Sequence, residues 1–332
     1  MNVSPRKLLL SAQAQAGLAA DLQPLLQGTG VEAVTLEAAA ADERVQVDAA
    51  FISRDITGLS LKHVVLDELA ACYRVLRRSP QLRWVHTHSA GADRPIYAEL
   101  SARGVAVSTS SGANAEVVAQ TALAGLLALS RRFPQLMAAQ ARREWAPLMA
   151  GPLPPDLTGQ TLVLLGWGPI AQRIQPVLAL LGLQVVVVRR TAEPAGPGIE
   201  TVAFTALRHV LPRAQWLLLA CPLTPQTQGL IDAQALALLP PGAQLINVAR
   251  GEVVVESALV AALQSGHLGG AFLDVFEHEP LPGHSALWSL PNVMVTPHSA
   301  GPSAGNAART AAIFLDNLQR WVQGQPLRNR AA

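Results

Sequence analysis

The sequence predicts an α/β protein of two domains, each built around a doubly wound parallel sheet. The chain has 332 residues, which is more than one domain usually contains. Half of the residues are hydrophobic and only 14% are charged, which is enough apolar material for large buried cores. Short apolar runs alternate with longer amphipathic segments almost throughout, and this alternation is typical of β-α-β units.

The predicted strands form two consecutive sets, separated by a long helical stretch. In the first set the strands are residues 7–11, 31–36, 49–53, 82–86 and 105–108, with helices predicted at 16–27, 66–78 and 94–103. The helical stretch begins near Gly112 and runs to Trp145, with a break predicted at Pro134. The second set comprises 161–165, 184–189, 216–220, 244–248, 270–274 and 293–296, followed by a last helix at 303–321. Each set predicts one doubly wound domain.

Composition excludes several classes of protein. The net charge is +2 and no block of basic residues occurs, so no nucleic-acid partner is expected. Lys7 and Lys62 are the only lysines, which removes a phosphate loop of the G-x-x-x-x-G-K type. Cys72 and Cys221 have no zinc-binding spacing and imply no disulfide framework, so we expect no metal and a reducing cytoplasm. No apolar run is long enough for a bilayer span, so no membrane partner is expected.

A glycine-rich turn lies between the apolar run 161–165 and a helical pattern at 171–181. It reads G-x-G-x-x-A, with Gly166, Gly168 and Ala171 at the defining positions. In a dinucleotide-binding Rossmann unit the first glycine permits the tight turn and the second lets the pyrophosphate approach the backbone. The third position requires a small side chain. Pro169 and Ile170, between the second glycine and the helix, are expected to belong to the same cofactor-binding turn, and the helix N-terminus faces the phosphates. The alternative interpretation is a purely structural glycine turn.

The end of the next predicted strand bears on the choice of cofactor. An NAD site usually has an acidic residue there for the ribose 2′-hydroxyl, but this chain has Arg189, Arg190 and Thr191. Two guanidinium groups suit a 2′-phosphate, so the sequence predicts NADP as the preferred cofactor, with NAD possible. The alternative is a pair of solvated arginines at a strand end.

Three residues suited to chemistry follow successive predicted strands in the last third of the chain. Arg250 comes after the run 244–248, Glu279 after 270–274, and His298 after 293–296. Because parallel strands end at one edge of a sheet, this placement can bring the three side chains together. Taken singly, the arginine and the glutamate are more often solvated surface residues, and the histidine could be a capping residue.

Several ordered motifs resemble the D-isomer-specific 2-hydroxyacid dehydrogenase family, most specifically over residues 82–301. They are the Ser-Ala-Gly-x-Asp loop at 89–93, Gly-Ala-Asn at 112–114, the glycine turn, Cys-Pro-Leu-Thr at 221–224, Thr-Gln-Gly-Leu-Ile at 227–231, Asn-Val-Ala-Arg-Gly at 247–251, Leu-Asp-Val-Phe-Glu at 273–277, Glu-Pro at 279–280 and Thr-Pro-His at 296–298. The chain is therefore identified as similar to glyoxylate and hydroxypyruvate reductases of this family.

The resemblance implies a role for each member of the trio. His298 would be the acid/base that donates a proton to the substrate carbonyl as hydride arrives. Glu279 would hold His298 and favour its charged form. Arg250 would bind the substrate carboxylate and polarise the carbonyl. The backbone N–H groups of the substrate loop, Ser89, Ala90 and Gly91, would bind the other side of the carboxylate.

The same matching implies further cofactor-binding residues. Asp274 would lie near the nicotinamide, Pro222 would line the nucleotide groove, and Thr227 and Ala249 would belong to the same site. One departure from the family pattern is Gln120, which stands where a glutamate is usual.

Domain boundaries and assembly also follow from the resemblance. A flavodoxin-like substrate domain would comprise residues 1–111 and 301–332, and a Rossmann coenzyme domain residues 112–300. Family members usually form dimers through the coenzyme domain, so a homodimer is expected.

The leading hypothesis is an NADPH-dependent reductase of small 2-oxo acids such as glyoxylate or hydroxypyruvate. A second hypothesis is a relative that acts on another small anion such as formate or phosphite. Formate enzymes carry glutamine at the position of Glu279, which disfavours that choice. A third hypothesis is a catalytically silent NAD(P)-sensing interaction module of the corepressor type, which the complete trio disfavours.

Overall fold

The computed structural model describes residues 5–62 and 64–331. By its internal contacts the chain divides into two compact units. The first comprises the residues up to Asn114 and those from Ser303 onward, and the second is Ala115–Pro302. The sequence prediction placed these boundaries slightly earlier, at 111/112 and 300/301.

The first unit contains a five-stranded sheet in which every pairing is parallel. Its strands are β1 (Arg6–Leu10), β2 (Val31–Thr35), β3 (Ala49–Ile52), β4 (Trp84–Thr87) and β5 (Ala106–Thr109). The spatial order β2-β1-β3-β4-β5 is the flavodoxin-like order, as predicted. The strands β3 and β4 in the middle of the sheet are buried along their whole length, as expected where helices cover both faces of a parallel sheet.

Six helices of the first unit connect these strands. They are α1 (Ala12–Gly17), α2 (Ala19–Leu26), α3 (Leu36–Ala41), α4 (Arg54–Thr57), α5 (Asp67–Arg77) and α6 (Pro95–Ala102). The helix predicted at 16–27 begins earlier, because the Ser11 side chain accepts a hydrogen bond from the Ala14 N–H and so caps α1. The predicted pattern missed α3 and α4, which are too short to show a helical period.

The second unit contains a seven-stranded parallel sheet. Its strands are β6 (Thr161–Leu165), β7 (Gln184–Arg189), β8 (Glu200–Ala203), β9 (Trp216–Leu219), β10 (Ala243–Asn247), β11 (Leu268–Leu273) and β12 (Val293–Val295). The spatial order is β12-β11-β10-β9-β6-β7-β8, so chain order reverses next to β6. This is the doubly wound topology predicted for a Rossmann domain, with β8 as a short edge strand that the sequence analysis missed.

The helices of the second unit are α7 (Ala115–Ser130), α8 (Phe133–Ala141), α9 (Pro169–Leu180), α10 (Leu207–Val210), α11 (Ala233–Leu238) and α12 (Glu256–Gln264). The long helical stretch breaks between α7 and α8, where Arg132 adopts a left-handed conformation with φ of 56°. Pro134 then lies in the first turn of α8, where its missing N–H costs no hydrogen bond.

The last helix, α13 (Asn306–Val322), packs on the sheet of the first unit. Phe314 from α13 stacks on Phe51 with ring centroids 4.2 Å apart and is fully buried beside Trp84. These aromatic contacts attach the end of the chain to the unit in which it began.

Candidate active site

The turn after β6 has the features of a phosphate-binding turn. Gly166 has a φ of 104°, and a Cβ there would lie 2.7 Å from the Ala220 carbonyl oxygen, so only glycine fits. Gly168 has open space where its Cβ would be, and Ala171 is fully buried against the sheet. No side chain of the described residues caps α9, so the N–H groups of its first turn are available to an anion. These residues fit a dinucleotide pyrophosphate.

At the end of β7 the three predicted specificity residues lie at or near the surface. The Arg189 side chain is 28% exposed, and its guanidinium lies 3.5 Å from the carboxylate of Glu193. Arg190 and Thr191 are exposed. The arginine pair is therefore accessible. Glu193, which pairs with Arg189, is an acidic residue that the sequence analysis did not consider.

The loop after β9 uses Thr227 internally. Thr227 is 1% exposed, its hydroxyl donates to the Pro222 carbonyl at 2.7 Å, and it accepts from the Thr224 N–H at 2.8 Å. Pro222 itself is exposed. These bonds shape the loop that bears Pro222, and cofactor binding by Thr227 stays a prediction.

The trio residues follow β10, β11 and β12 at one edge of the sheet. His298 Nδ1 lies 2.8 Å from Glu279 Oε2, and the His298 side chain is 45% exposed. Burial alone would raise the pKa of Glu279. The net effect is a lowered pKa, because the carboxylate is stabilised by the hydrogen bond and charge of His298, by the Phe276 N–H and by the charge of Arg250. The structure thus brings the three predicted residues into one electrostatic environment.

Arg250 is held in place by its own loop. Its guanidinium donates to the Ala249 carbonyl at 2.7 Å, and its carbonyl accepts from the Asn247 side-chain amide at 3.0 Å. Asn247 is 1% exposed and also accepts from the Ala249 N–H. The predicted cofactor residue Ala249 is 4% exposed. The sequence analysis quoted Asn247 only as part of a motif, yet both of its side-chain bonds fix the arginine loop.

Gly251 joins the arginine loop to the glutamate loop. A Cβ at this position would lie 1.8 Å from the carbonyl carbon of Phe276 and 2.3 Å from the N atom of Glu277. The Phe276 N–H in turn donates to Glu279 Oε1 at 3.2 Å. The close backbone approach at Gly251 therefore sets the distance between Arg250 and the segment that carries Glu279.

Asp274 organises the segment that carries His298. The Asp274 side chain is buried and accepts from the Thr296 hydroxyl at 2.6 Å, from the Ser299 N–H at 2.7 Å and from the Ala300 N–H at 3.1 Å. Its carbonyl accepts from the His298 N–H at 2.9 Å, where the chain has a φ of 50°. Burial raises the pKa of Asp274 against the lowering effect of these hydrogen bonds. These hydrogen bonds all join Asp274 to residues 296–300.

The substrate loop predicted from the sequence lies directly after β4 in the first unit. The Ser89 N–H donates to the Thr87 hydroxyl at 3.3 Å, and the Ser89 carbonyl accepts from the Ser110 N–H at 2.9 Å. In the described part of the chain the N–H groups of Ala90 and Gly91 form no hydrogen bond. Those two groups, and not that of Ser89, are available to a ligand.

Within residues 5–62 and 64–331, no helix combines the length and apolarity needed to cross a bilayer. In the same residues no group of three or more His, Cys, Asp or Glu side chains is arranged to hold a metal ion. Gln120, which replaces a usual glutamate, lies exposed on α7.

A dinucleotide turn and an acid/base pair at the same sheet edge define a nicotinamide-dependent oxidoreductase. Comparison with known proteins agrees. Residues 123–300 match the model of the D-isomer specific 2-hydroxyacid dehydrogenase NAD-binding domain. The chain is 33% identical over 297 residues to an (S)-sulfolactate dehydrogenase from Chromohalobacter salexigens, covering 86% of this chain and 91% of the relative. The chain belongs to the D-isomer-specific 2-hydroxyacid dehydrogenase family and is an NAD(P)-dependent oxidoreductase.

Solved structures give the same fold. A family member from Xanthobacter autotrophicus in complex with NADPH and MES has a TM-score of 0.75 and 30% identity, covering 99% of this chain and 98% of that one. An NADPH-dependent glyoxylate/hydroxypyruvate reductase from Sinorhizobium meliloti has a TM-score of 0.75 and 27% identity with the same coverage. These likenesses confirm the predicted family and the two parallel-sheet units.

Proposed function

We propose that this protein reduces small 2-oxo acids of the glyoxylate and hydroxypyruvate type with NADPH, using Arg250, Glu279 and His298. The observation that carries the proposal is the 2.8 Å contact between His298 Nδ1 and Glu279 Oε2 beside Arg250. Relatives named glyoxylate reductase and glyoxylate/hydroxypyruvate reductase, at 32% and 34% identity, support the substrate class.

The proposed chemistry assigns one task to each side chain. The turn after β6 would hold the nicotinamide cofactor, which would supply the hydride for the substrate carbonyl carbon. Because Nδ1 of His298 is engaged by Glu279, Nε2 is the ring nitrogen free to donate a proton to the carbonyl oxygen. Glu279 fixes the ring orientation and stabilises the imidazolium, and its lowered pKa keeps it ionised at neutral pH.

Arg250 is proposed to bind the substrate carboxylate. Its planar guanidinium suits two carboxylate oxygens, and its charge opposes the negative charge that develops on the carbonyl oxygen. The Ala90 and Gly91 N–H groups are proposed as additional carboxylate donors. In this scheme Ala115–Pro302 is the coenzyme domain and the other unit is the substrate domain.

The proposed NADP preference rests on Arg189, Arg190 and Thr191. Two accessible guanidinium groups and a hydroxyl at the end of β7 suit a 2′-phosphate. Solved neighbours bound to NADPH or NADP support this choice. The measurement is the ratio of kcat/KM for NADPH to that for NADH, in the natural protein and in Arg189→Gln/Arg190→Gln. We expect NADPH preference and its loss in the variant. A clear NADH preference of the natural protein contradicts this part of the proposal.

Substrate class is tested by NADPH oxidation with a panel of 2-oxo acids. The panel includes glyoxylate, hydroxypyruvate, pyruvate and sulfopyruvate, the last because a relative is named for sulfolactate. Turnover with glyoxylate or hydroxypyruvate is the expected result. Turnover confined to a different 2-oxo acid overturns the substrate assignment. Cofactor binding without turnover on any of them favours the corepressor-type module.

A homodimer through the coenzyme unit is also proposed. Large apolar side chains are exposed after α8, with Trp145 96%, Met149 87% and Leu153 66% accessible. Exposed apolar side chains can mark interaction sites, and a second copy of the chain is the proposed occupant. Light scattering should give the mass of a dimer, and Trp145→Ser/Met149→Ser should shift it toward the monomer. A monomeric natural protein refutes the proposal.

A cytoplasmic location is also proposed, which the two buried free thiols support.

A further inference from the structure

A basic cavity in the first unit is not used by the proposed chemistry. It lies between the segment before α5, α5 itself and the start of α6, and has a volume of about 440 Å³. Lys62, Arg74, Arg77 and Arg94 line it, and none of its lining residues is acidic. A cavity lined by charges of one sign attracts and concentrates ions of the opposite sign. The lining therefore selects for an anion.

Two of the arginines are already held in fixed positions. The Arg94 guanidinium donates to the carbonyls of Ser60 and Leu61, each at 2.7 Å. Arg77 forms a two-pronged ion pair with Glu99, with distances of 2.9 to 3.0 Å. Because these bonds do not exhaust the N–H groups of Arg94, it can bind a ligand without losing further side-chain freedom.

One guanidinium of the cavity is not committed to other groups. Among the described residues the Arg74 guanidinium has no acidic partner and no hydrogen bond. Tyr73 is 7% exposed and its hydroxyl is buried, so Tyr73 forms part of the cavity wall. Burial raises the pKa of Tyr73, and the neighbouring Arg94 guanidinium opposes that rise. Arg74 and Arg94 are therefore the groups of the lining that can contact an anion.

The chemistry of the lining narrows the class of ligand. More than one guanidinium converges on the cavity, which matches a dianionic phosphate monoester better than a single carboxylate. The cavity is larger than a phosphate ion requires, and Val65 and Ile96 add apolar surface. We propose that this cavity binds a phosphorylated small organic molecule, with Arg74 and Arg94 as the phosphate contacts.

The test is calorimetric titration of glycerol phosphate into the whole protein with saturating NADP present, so that the nucleotide groove is already occupied. We expect saturable binding that weakens by about tenfold or more in Arg74→Gln, the effect of losing one charge-assisted hydrogen bond. Arg44→Gln is the matched control, because Arg44 is 90% exposed and pairs with Asp42 away from the cavity. Its affinity should equal that of the natural protein.

The melting temperature separates binding from folding. Because Arg74 is exposed and has no hydrogen bond among the described residues, Arg74→Gln should melt at the temperature of the natural protein while weakening glycerol phosphate binding. Inorganic phosphate should bind more weakly than glycerol phosphate, and equal affinity overturns the organic part of the assignment. Absence of saturable binding, or equal affinity in Arg74→Gln and the natural protein, overturns the site.

Discussion

Replacing Gly251 by alanine should disable the active site by moving two loops apart. The added Cβ would lie 1.8 Å from the Phe276 carbonyl carbon and 2.0 Å from its oxygen, whereas real Cβ contacts stay above 3.0 Å. The backbones of the two segments must therefore separate by roughly 1.2 Å, the difference between these distances. The obstacle is backbone, so a side-chain rotation cannot relieve it.

The expected effect is larger on catalysis than on stability. Overpacking of a buried contact typically costs about 1–3 kcal/mol of folding free energy. A displacement of about 1 Å between catalytic groups can reduce the rate by about a hundredfold. We therefore expect Gly251→Ala to remain folded and to lose about two orders of magnitude in kcat/KM for the 2-oxo acid.

The assay is NADPH oxidation by the purified variant, with its melting temperature measured in parallel. Gly283→Ala is the matched control, because no heavy atom lies within 4 Å of its added Cβ and its backbone has no positive φ. The control should keep full activity. A folded Gly251→Ala variant with kcat/KM within a few-fold of the natural protein would refute the idea that this contact sets the Arg250 geometry.

Three further predictions follow from the hydrogen bonds and burial of single residues. Asp274→Asn should lower kcat by about tenfold or more and speed hydrogen exchange of the backbone amides in residues 296–300, because one hydrogen of the new side-chain amide would face an N–H donor. Asp232→Asn, at the start of α11, is the control. Equal amide exchange in the two variants would contradict this role of Asp274. Glu279→Gln should lower kcat by about a hundredfold with unchanged NADPH affinity, and activity equal to that of the natural protein would show that the carboxylate does not support the proton transfer. His86, whose pKa burial lowers to about 3 from an ordinary 6.5, should show no NMR titration between about pH 5 and pH 8. Below about pH 6.5 the unfolded chain binds a proton at His86 that the folded protein does not bind, so the free energy of unfolding falls by about 2 kcal/mol by about pH 5. A His86 NMR signal that titrates in this range would contradict the prediction.

Sequence periodicity was sufficient for the parallel strands and for the glycine turn. Strands such as β3 and β9 are continuous apolar runs, so their burial on both faces could be predicted without coordinates. Short elements such as β8 and α4 escaped, because four residues do not establish a period. The break before α8 was predicted from Pro134, although the helix ends slightly earlier than that residue.

The chemical identity of the site followed from residue types, but several roles depend on hydrogen-bond directions that a sequence does not contain. The order of the strands placed Arg250, Glu279 and His298 at one edge, and the structure brings them together. The sequence did not show that the Thr227 hydroxyl also bonds within its own loop. Glu193 lies four residues beyond Arg189, at the end of β7, so the sequence pattern did not indicate their ion pair.

In the proposed mechanism His298 transfers the proton, and the coenzyme turn works independently of it. The direct measurement compares His298→Ala with His284→Ala, an exposed histidine of the same unit, in NADPH binding and in steady-state reduction of glyoxylate and hydroxypyruvate. We predict that both variants bind NADPH with the affinity of the natural protein and that only His298→Ala loses turnover. Turnover retained by His298→Ala would contradict the proposed mechanism.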